Sequence, residues 1–305
     1  MAKLNIDYSE AICYSGFREG QSPDSGIFPS YEEIREDLLL LAPRWKYIRL
    51  YDCDQHAKTC LEVILKENID IKVMLGIYIN AEVSNHNCPW GGVYSKETLA
   101  KNKADNDAKI QIGIDIANKY PSIVSWISVG NEATVEWTDH MVPVERVVDF
   151  VEKVKSHCNQ AVTYCENYIT WLRKLASVAE VVDFISIHTY PVWEYKTIEE
   201  AMAFTMENFY DVAERYKDKT IVISEAGWAT ESNGHGIRKE HVNEEFQQIY
   251  FNELTSWSKD SGTITFVFEA FDESWKGSGD EQEPEKHWGV FNLDRSPKLV
   301  ISESD

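Results

Sequence analysis

Two glutamates draw attention because each terminates an apolar run, where a charge is expensive to place. Residues 123–131 read IVSWISVGN and lead into Glu132; residues 220–224 read TIVIS and lead into Glu225. Two carboxyl groups brought to one place push their proton affinities apart, so one holds a proton while the other stays ionised. That division suits cleavage of a glycosidic bond, where an acid protonates the leaving oxygen and a carboxylate attacks the anomeric carbon. Either glutamate alone reads equally well as a structural partner for Arg or Lys. Asn131, just before Glu132, offers an amide to a sugar hydroxyl beside the reacting carbon, or is an ordinary loop amide.

The surrounding pattern says what must hold the pair. Apolar, β-rich runs lie at 11–14, 47–51, 71–78, 124–129, 161–164, 182–188, 220–224 and 263–268. Most are nearly continuous in hydrophobicity, as for parallel strands buried on both faces. Helix-period segments separate them. One spans 31–41, opened by a Ser30/Glu33 capping box and stopped before Pro43; others span 144–157 and 240–258. Eight such alternations predict a single (β/α)8 TIM barrel, with 1–305 as one catalytic domain. A doubly wound open sheet fits less well, since no glycine-rich turn follows Tyr14.

Barrel active sites sit at the C-terminal ends of the strands. Glu132 then ends the fourth strand and Glu225 the seventh. The same rule marks Tyr14 and Tyr51 as contacts to sugar hydroxyls, with core packing an equal alternative. Glu166 and Asn167 follow the fifth strand and are expected to face the cleft. Tyr190 follows the sixth, where its hydroxyl can donate to the Glu225 carboxylate. Trp193, Trp228, Trp275 and Trp288 lie just past strand ends, where an indole can stack on a pyranose ring; Trp275 and Trp288 are the preferred platforms. Trp171 is a platform or a helix-packing residue. The insert 80–96, with Cys88, Pro89 and Trp90, shapes one end of the cleft or is a simple turn.

Bulk properties narrow the partner. A hydrophobic content of 43% supports one large core. The net charge of −21 repels nucleic acid and anionic polysaccharides but not a neutral chain, and also serves solubility. No run approaches the ~20 apolar residues that cross a bilayer, and residues 1–9 carry no signal-peptide core. The expectation is a monomer that is secreted, periplasmic or on the cell surface, its leader missing from this sequence. The six cysteines form no C-x-x-C; Cys13 and Cys165 read as buried thiols, and a Cys53–Cys60 bridge is conceivable. His188, His235, His241 and His287 make no H-e-x-x-h pattern, and no G-x-S-x-G, phosphate loop or dinucleotide fingerprint occurs. Neither a metal nor a cofactor is expected.

Five stretches, in order, resemble glycoside hydrolase family 17, the β-1,3-glucanases or laminarinases. They are IRLYD at 48–52, VGNEA at 129–133, ISEAGW at 223–228, FEAFDESWK at 268–276 and EKHWGVF at 285–291. The residues AGWA at 226–229 stand where the family often has Thr-Gly-Trp-Pro. Strand six ends in HTYP at 188–191 rather than the plant-type Tyr-Pro-Tyr. Both resemble a bacterial or fungal branch, and they bear on the outer subsites. The resemblance implies endo-acting cleavage of β-1,3-glucosidic bonds in laminarin-like glucan, through a covalent glycosyl-enzyme. It implies Glu132 as acid/base and Glu225 as nucleophile. Glu273, Lys276 and Glu285 match a polar cluster beside the nucleophile; alone they read as part of the surface charge run around 280–283. The alternatives are a β-1,3-glucan transglycosylase, a non-catalytic β-glucan-binding barrel, and a glycanase acting on 1,4-linked chains. The retaining mechanism implies carboxyls roughly 5–5.5 Å apart.

Overall fold

The computed structural model describes residue 4 and residues 6–302; part of the polar 1–9 stretch and the last three residues lie outside the described residues. Strands β1 (Ala11–Cys13), β2 (Tyr47–Arg49), β3 (Lys72–Ile77), β4 (Val124–Asn131), β5 (Ala161–Asn167), β6 (Ile185–His188), β7 (Ile221–Ala226) and β8 (Thr265–Val267) close into a barrel in chain order. Each pairs in parallel with the next, and β8 returns beside β1. The helices are α1 (Tyr31–Leu41), α2 (Gln55–Glu67), α3 (Lys96–Lys119), α4 (Val144–His157), α5 (Tyr168–Arg173), α6 (Ala176–Val181), α7 (Ile198–Arg215), α8 (Glu244–Ser261) and α9 (Leu299–Ser302). This is the (β/α)8 barrel that the alternating pattern predicts.

The eight strands lie where the apolar runs place them, but their ends differ in a way that matters. β4, β5 and β7 continue to Asn131, Asn167 and Ala226, past the predicted limits at 129, 164 and 224. Ladder hydrogen bonds therefore hold the polar strand ends rigidly. α1 and α4 have the predicted bounds, and the Ser30/Glu33 capping box is formed. α8 starts at Glu244 rather than 240. The Asn243 side chain accepts from the Phe246 amide at 2.6 Å, and a short 3-10 turn at Lys239–His241 precedes it.

All six cysteines are free thiols, so Cys53 and Cys60 are not bridged. Cys60 Sγ lies 3.7 Å from His56 Nε2, and Cys53 Sγ points at the Lys109 carbonyl, also at 3.7 Å. Among the described residues, no helix is long and apolar enough to cross a membrane.

Asp37 on α1 is fully buried and is the anchor for the C-terminal segment. Arg295 grips both its carboxylate oxygens, at 2.8 and 2.9 Å, and donates to the Gly16 carbonyl at 3.0 Å. Arg18 and the Tyr14 hydroxyl also donate to Asp37, at 3.0 and 3.1 Å. Removing one partner of a buried pair leaves a carboxylate short of compensation, typically costing about 3 kcal/mol. Arg295→Ala is expected to lower the urea unfolding free energy by about that amount.

Candidate active site

The site is built where four strand ends meet. β4 leaves its register with β5 between Ser128 and Asn131, and this irregularity turns the chain into the barrel mouth. Gly130 sits in the bend at φ +94°, and a Cβ there would lie 2.9 Å from the Tyr164 ring. Only glycine fits both demands. Glu132 follows at φ +45°, a region side-chain-bearing residues rarely occupy, and one that persists only when the surroundings enforce it. Several contacts do so. The Glu132 amide donates to the Cys165 carbonyl at 3.0 Å, and His140 Nε2 lies 2.8 Å from the Asn131 carbonyl oxygen. On the opposite side, Gly227 follows the β7 end. A Cβ on Gly227 would strike the Phe268 carbonyl oxygen at 2.0 Å, so glycine lets β8 close against β7.

His188 ends β6 in register with Glu225 on β7. Its Nδ1 lies 2.9 Å from Glu132 Oε1 and 3.3 Å from Glu225 Oε2. A carboxylate oxygen of Glu132 and one of Glu225 thus fall within 4.8 Å of each other. Glu225 also receives Arg49 Nη1 from β2 and the Tyr190 hydroxyl, the latter at 2.5 Å. The other Arg49 amine, Nη2, donates to Asn131 Oδ1 at 2.5 Å. The Glu225 side chain is 6% exposed and that of Glu132 is 26% exposed, so only Glu132 meets solvent appreciably.

Charge follows from these contacts. Burial alone would raise the Glu225 carboxyl, but His188, Arg49 and Tyr190 together hold it below its usual range. Burial would depress His188, but Glu225, Cys165 and Glu132 outweigh it and push the imidazole up to about 10. His188 is therefore an imidazolium at neutral pH. Glu132, His188 and Glu225 are close enough to surround a cation. As it stands the trio has little charge to draw a cation in, since its two carboxyl groups face two cations, Arg49 and the His188 imidazolium.

A second cluster borders the pair. Lys276 Nζ sits 2.7 Å from Glu269 and 2.6 Å from Glu273. Both carboxylates are buried, so this is not part of a surface charge run. Glu273 also accepts from Ser15 at 2.5 Å and Trp275 Nε1 at 2.9 Å. Burial raises Glu285 to about 7 against the pull of Lys276, with Glu225 and Glu132 adding repulsion.

Other expected contacts lie elsewhere. Tyr14 is fully buried, with its hydroxyl on Asp37 and its ring 6.1 Å from Phe271; it is core, not a sugar contact. Glu166 is fully buried, and its oxygens are taken by the Thr134 amide and hydroxyl, the Tyr164 hydroxyl and the Asn167 amide. It braces the loop after Glu132 instead of meeting substrate. Asn167 Oδ1 caps α5 by accepting from the Ile169 amide at 3.0 Å. Trp228 is core, with Nε1 on the His241 carbonyl and its ring on Tyr250. Trp171 points inward from α5, with Nε1 on the Ser186 carbonyl and its ring 6.1 Å from Tyr164. Trp288 is buried behind Tyr190 and Phe268, at ring distances of 5.1 and 5.7 Å, so it backs the wall and offers no open face. Trp193 and Trp275 remain half-buried. Tyr51 lies under the Arg49 guanidinium, 4.5 Å from its ring centre.

Arg49, Glu269 and His140 belong to the site without a role expected of them from sequence, and His188 joins it as a charge partner, not as a metal ligand. A signal existed for Arg49: it is the single charge inside the apolar run at 47–51. His188 likewise ends an apolar run, as the two glutamates do.

Residues 11–289 match the BtgE/BtgC glycoside hydrolase domain family. A probable glucan endo-1,3-beta-glucosidase, btgC of Aspergillus clavatus, is 25% identical over 91% of this chain and 40% of its own length. The chain thus spans about two fifths of that relative. The glucan 1,3-beta-glucosidase of Arthroderma benhamiae is 24% identical over 93% of this chain and 89% of its own. Among solved structures, an endo-laminarinase from Formosa Hel1_33_131 superposes with a TM-score of 0.83 at 26% identity, covering 96% of this chain and 85% of that one. An active-site mutant of Rhizomucor miehei β-1,3-glucanosyltransferase in complex with laminaritriose shares the fold, with a TM-score of 0.74 at 21% identity and 96% of both chains covered.

Two outcomes follow from the charges. Arg49→Met removes the cation facing Glu225, so carboxyl ¹³C NMR should show the Glu225 titration moving upward by about 1 unit or more. Glu285 binds its proton more tightly folded than unfolded. Its contribution to stability is therefore full at low pH and is lost as pH rises through about 7. Glu285→Gln should flatten that fall in the thermal midpoint between about pH 5 and 8.

Proposed function

This chain belongs to the BtgE/BtgC glycoside hydrolase domain family, and from that premise we propose that it cleaves β-1,3-glucosidic bonds in laminarin-like glucan, endo-wise and with retention of configuration. The observation that carries this reading is the Glu132–Glu225 pair. Their nearest oxygens lie within 4.8 Å and share His188. That spacing favours direct attack by a carboxylate over the wider gap, about 6.5–9.5 Å, that holds a water between the groups.

In the proposed reaction Glu225, kept ionised by Arg49, His188 and Tyr190, attacks the anomeric carbon. Glu132 gives its proton to the departing glucosyl oxygen. A water then loses a proton to Glu132, attacks the same carbon and releases Glu225, so protons and bonds balance over the two steps. Asn131 has its Oδ1 committed to Arg49, which leaves its Nδ2 group to donate to a sugar hydroxyl. Lys276 and Glu285 border the same space and are suited to neighbouring hydroxyls. The net charge of −21 suits a neutral polysaccharide. One chain supplies all these groups, which supports action as a monomer. A polymeric substrate does not cross membranes, which supports action outside the cytoplasm.

Glu225→Ala should retain the far-ultraviolet spectrum of the wild type while laminarin turnover falls by roughly 10⁴-fold or more. Proton NMR of the wild-type reaction should show the β-anomer first. Wild-type-like turnover by the variant, or the α-anomer first, would overturn the assignment. Elongated products at high oligosaccharide concentration would assign transfer to sugar in place of transfer to water.

A further inference from the structure

Of the ten tryptophans, eight are buried or half-buried. The two exposed ones are Trp90, at 66%, and Trp137, at 37%. Trp90 lies in the loop after β3 and Trp137 in the loop after β4, the loop that begins at Glu132. These loops are one unit. Asn85, itself 6% exposed, donates from Nδ2 to the Glu136 and Thr138 carbonyls on either side of Trp137, at 2.8 and 2.7 Å. The Asn85 amide also donates to the Gly92 carbonyl at 2.7 Å, closing the turn that carries Trp90. A Cβ on Gly91 would come within 3.7 Å of Asp139, so the two loop tips touch.

The unit is also tied to the catalytic strand end. His140 joins it to the Asn131 carbonyl, and the His140 ring lies 4.9 Å from Tyr78 at the end of β3. Trp137 is five residues beyond Glu132, so their Cα atoms lie within about 18 Å. A buried asparagine thus fixes the backbone around the two tryptophans that are exposed among the described residues, in loops at the mouth of the barrel. Exposed apolar patches rimmed by polar groups mark binding surfaces. Glu136 and Asp139 flank the patch and disfavour anionic partners. The flat apolar faces of the indoles suit the apolar face of a neutral pyranose.

We infer that Trp90 and Trp137 form a distal subsite that binds the glucan chain a few units away from the bond being cleaved, at the β3–β4 end of the cleft. The inference rests on the β-1,3-glucan reading. The platform acts on long chains and is out of reach of short ones.

The test compares wild type, W90A/W137A and W90F/W137F on laminarin and on laminaritriose. The alanine pair should raise KM for laminarin by about tenfold with kcat within about twofold of wild type. Its kinetics on laminaritriose should match wild type, and the phenylalanine pair should keep KM for laminarin near wild type. A wild-type protein inert on laminarin overturns the glucanase reading and this platform with it. A wild type active on laminarin, with KM unchanged in the alanine pair, overturns the platform alone. An equal loss on laminarin and laminaritriose also overturns it, since the residues would then act on the catalytic centre and not on chain length.

Discussion

The ion pair between Arg49 and Glu225 is the constraint around which the site is arranged. A carboxylate only 6% exposed is stable as an anion only with compensation built into the fold. The compensation comes from across the barrel: Arg49 stands on β2 and Glu225 on β7. They meet because the sheet closes, with β1 paired to both β2 and β8. An open sheet would place these strands at separate edges. Barrel closure is therefore a requirement of the chemistry as well as of stability. Arg49 is equally dependent on its surroundings, and its second amine is met by Asn131 at the end of β4. One guanidinium thus fixes the relative positions of the two strand ends that carry the glutamates.

The polar ends of the barrel are organised by the same rule, that each buried charge needs a defined partner. Glu166 is met by four donors and so stiffens the turn after Glu132. Lys276 is shared between Glu269 and Glu273, and Asp37 holds Arg295 and Arg18. Asp37 and Glu166 in this way join segments distant in sequence, whereas Lys276 ties together the two carboxylates of its own loop. The net charge of −21 therefore says little about the site, where cations are placed individually.

How much of this could be read from the sequence depended on direction. The eight strands were legible because strands buried on both faces are continuous apolar runs, and α1 was legible because its capping box is local. The two glutamates were legible because a charge closing such a run is unusual. What a strand end does not reveal is where its side chains point. Tyr14 and Trp228 follow strands as Tyr190 does, and Glu166 stands near the end of β5, yet these three turn into the core while Tyr190 reaches Glu225. Register shifts near the ends of β4, β6 and β7 rotate the last residues, and a regular alternation does not anticipate them. Arg49 went unassigned because a charge inside an apolar run looks like an interruption until its partner, 176 residues away, is known.

Around His188 the two glutamates have different surroundings, which suit them to the two duties of the proposed double displacement. His188 touches both, yet Glu225 has two further donors while Glu132 has solvent on its open side. A group that must give up and regain a proton needs access to the leaving oxygen and then to water, and only Glu132 has it. A group that must form a bond to carbon needs to remain an anion in a fixed orientation, which Arg49 and Tyr190 impose on Glu225. In the proposed double displacement, Glu132 becomes a carboxylate with an imidazolium already 2.9 Å from its oxygen. No side chain has to move to receive that charge, which is how preorganised electrostatics lowers a barrier. The assignment of acid/base and nucleophile thus rests on the asymmetry around one histidine, since the two glutamates are chemically identical.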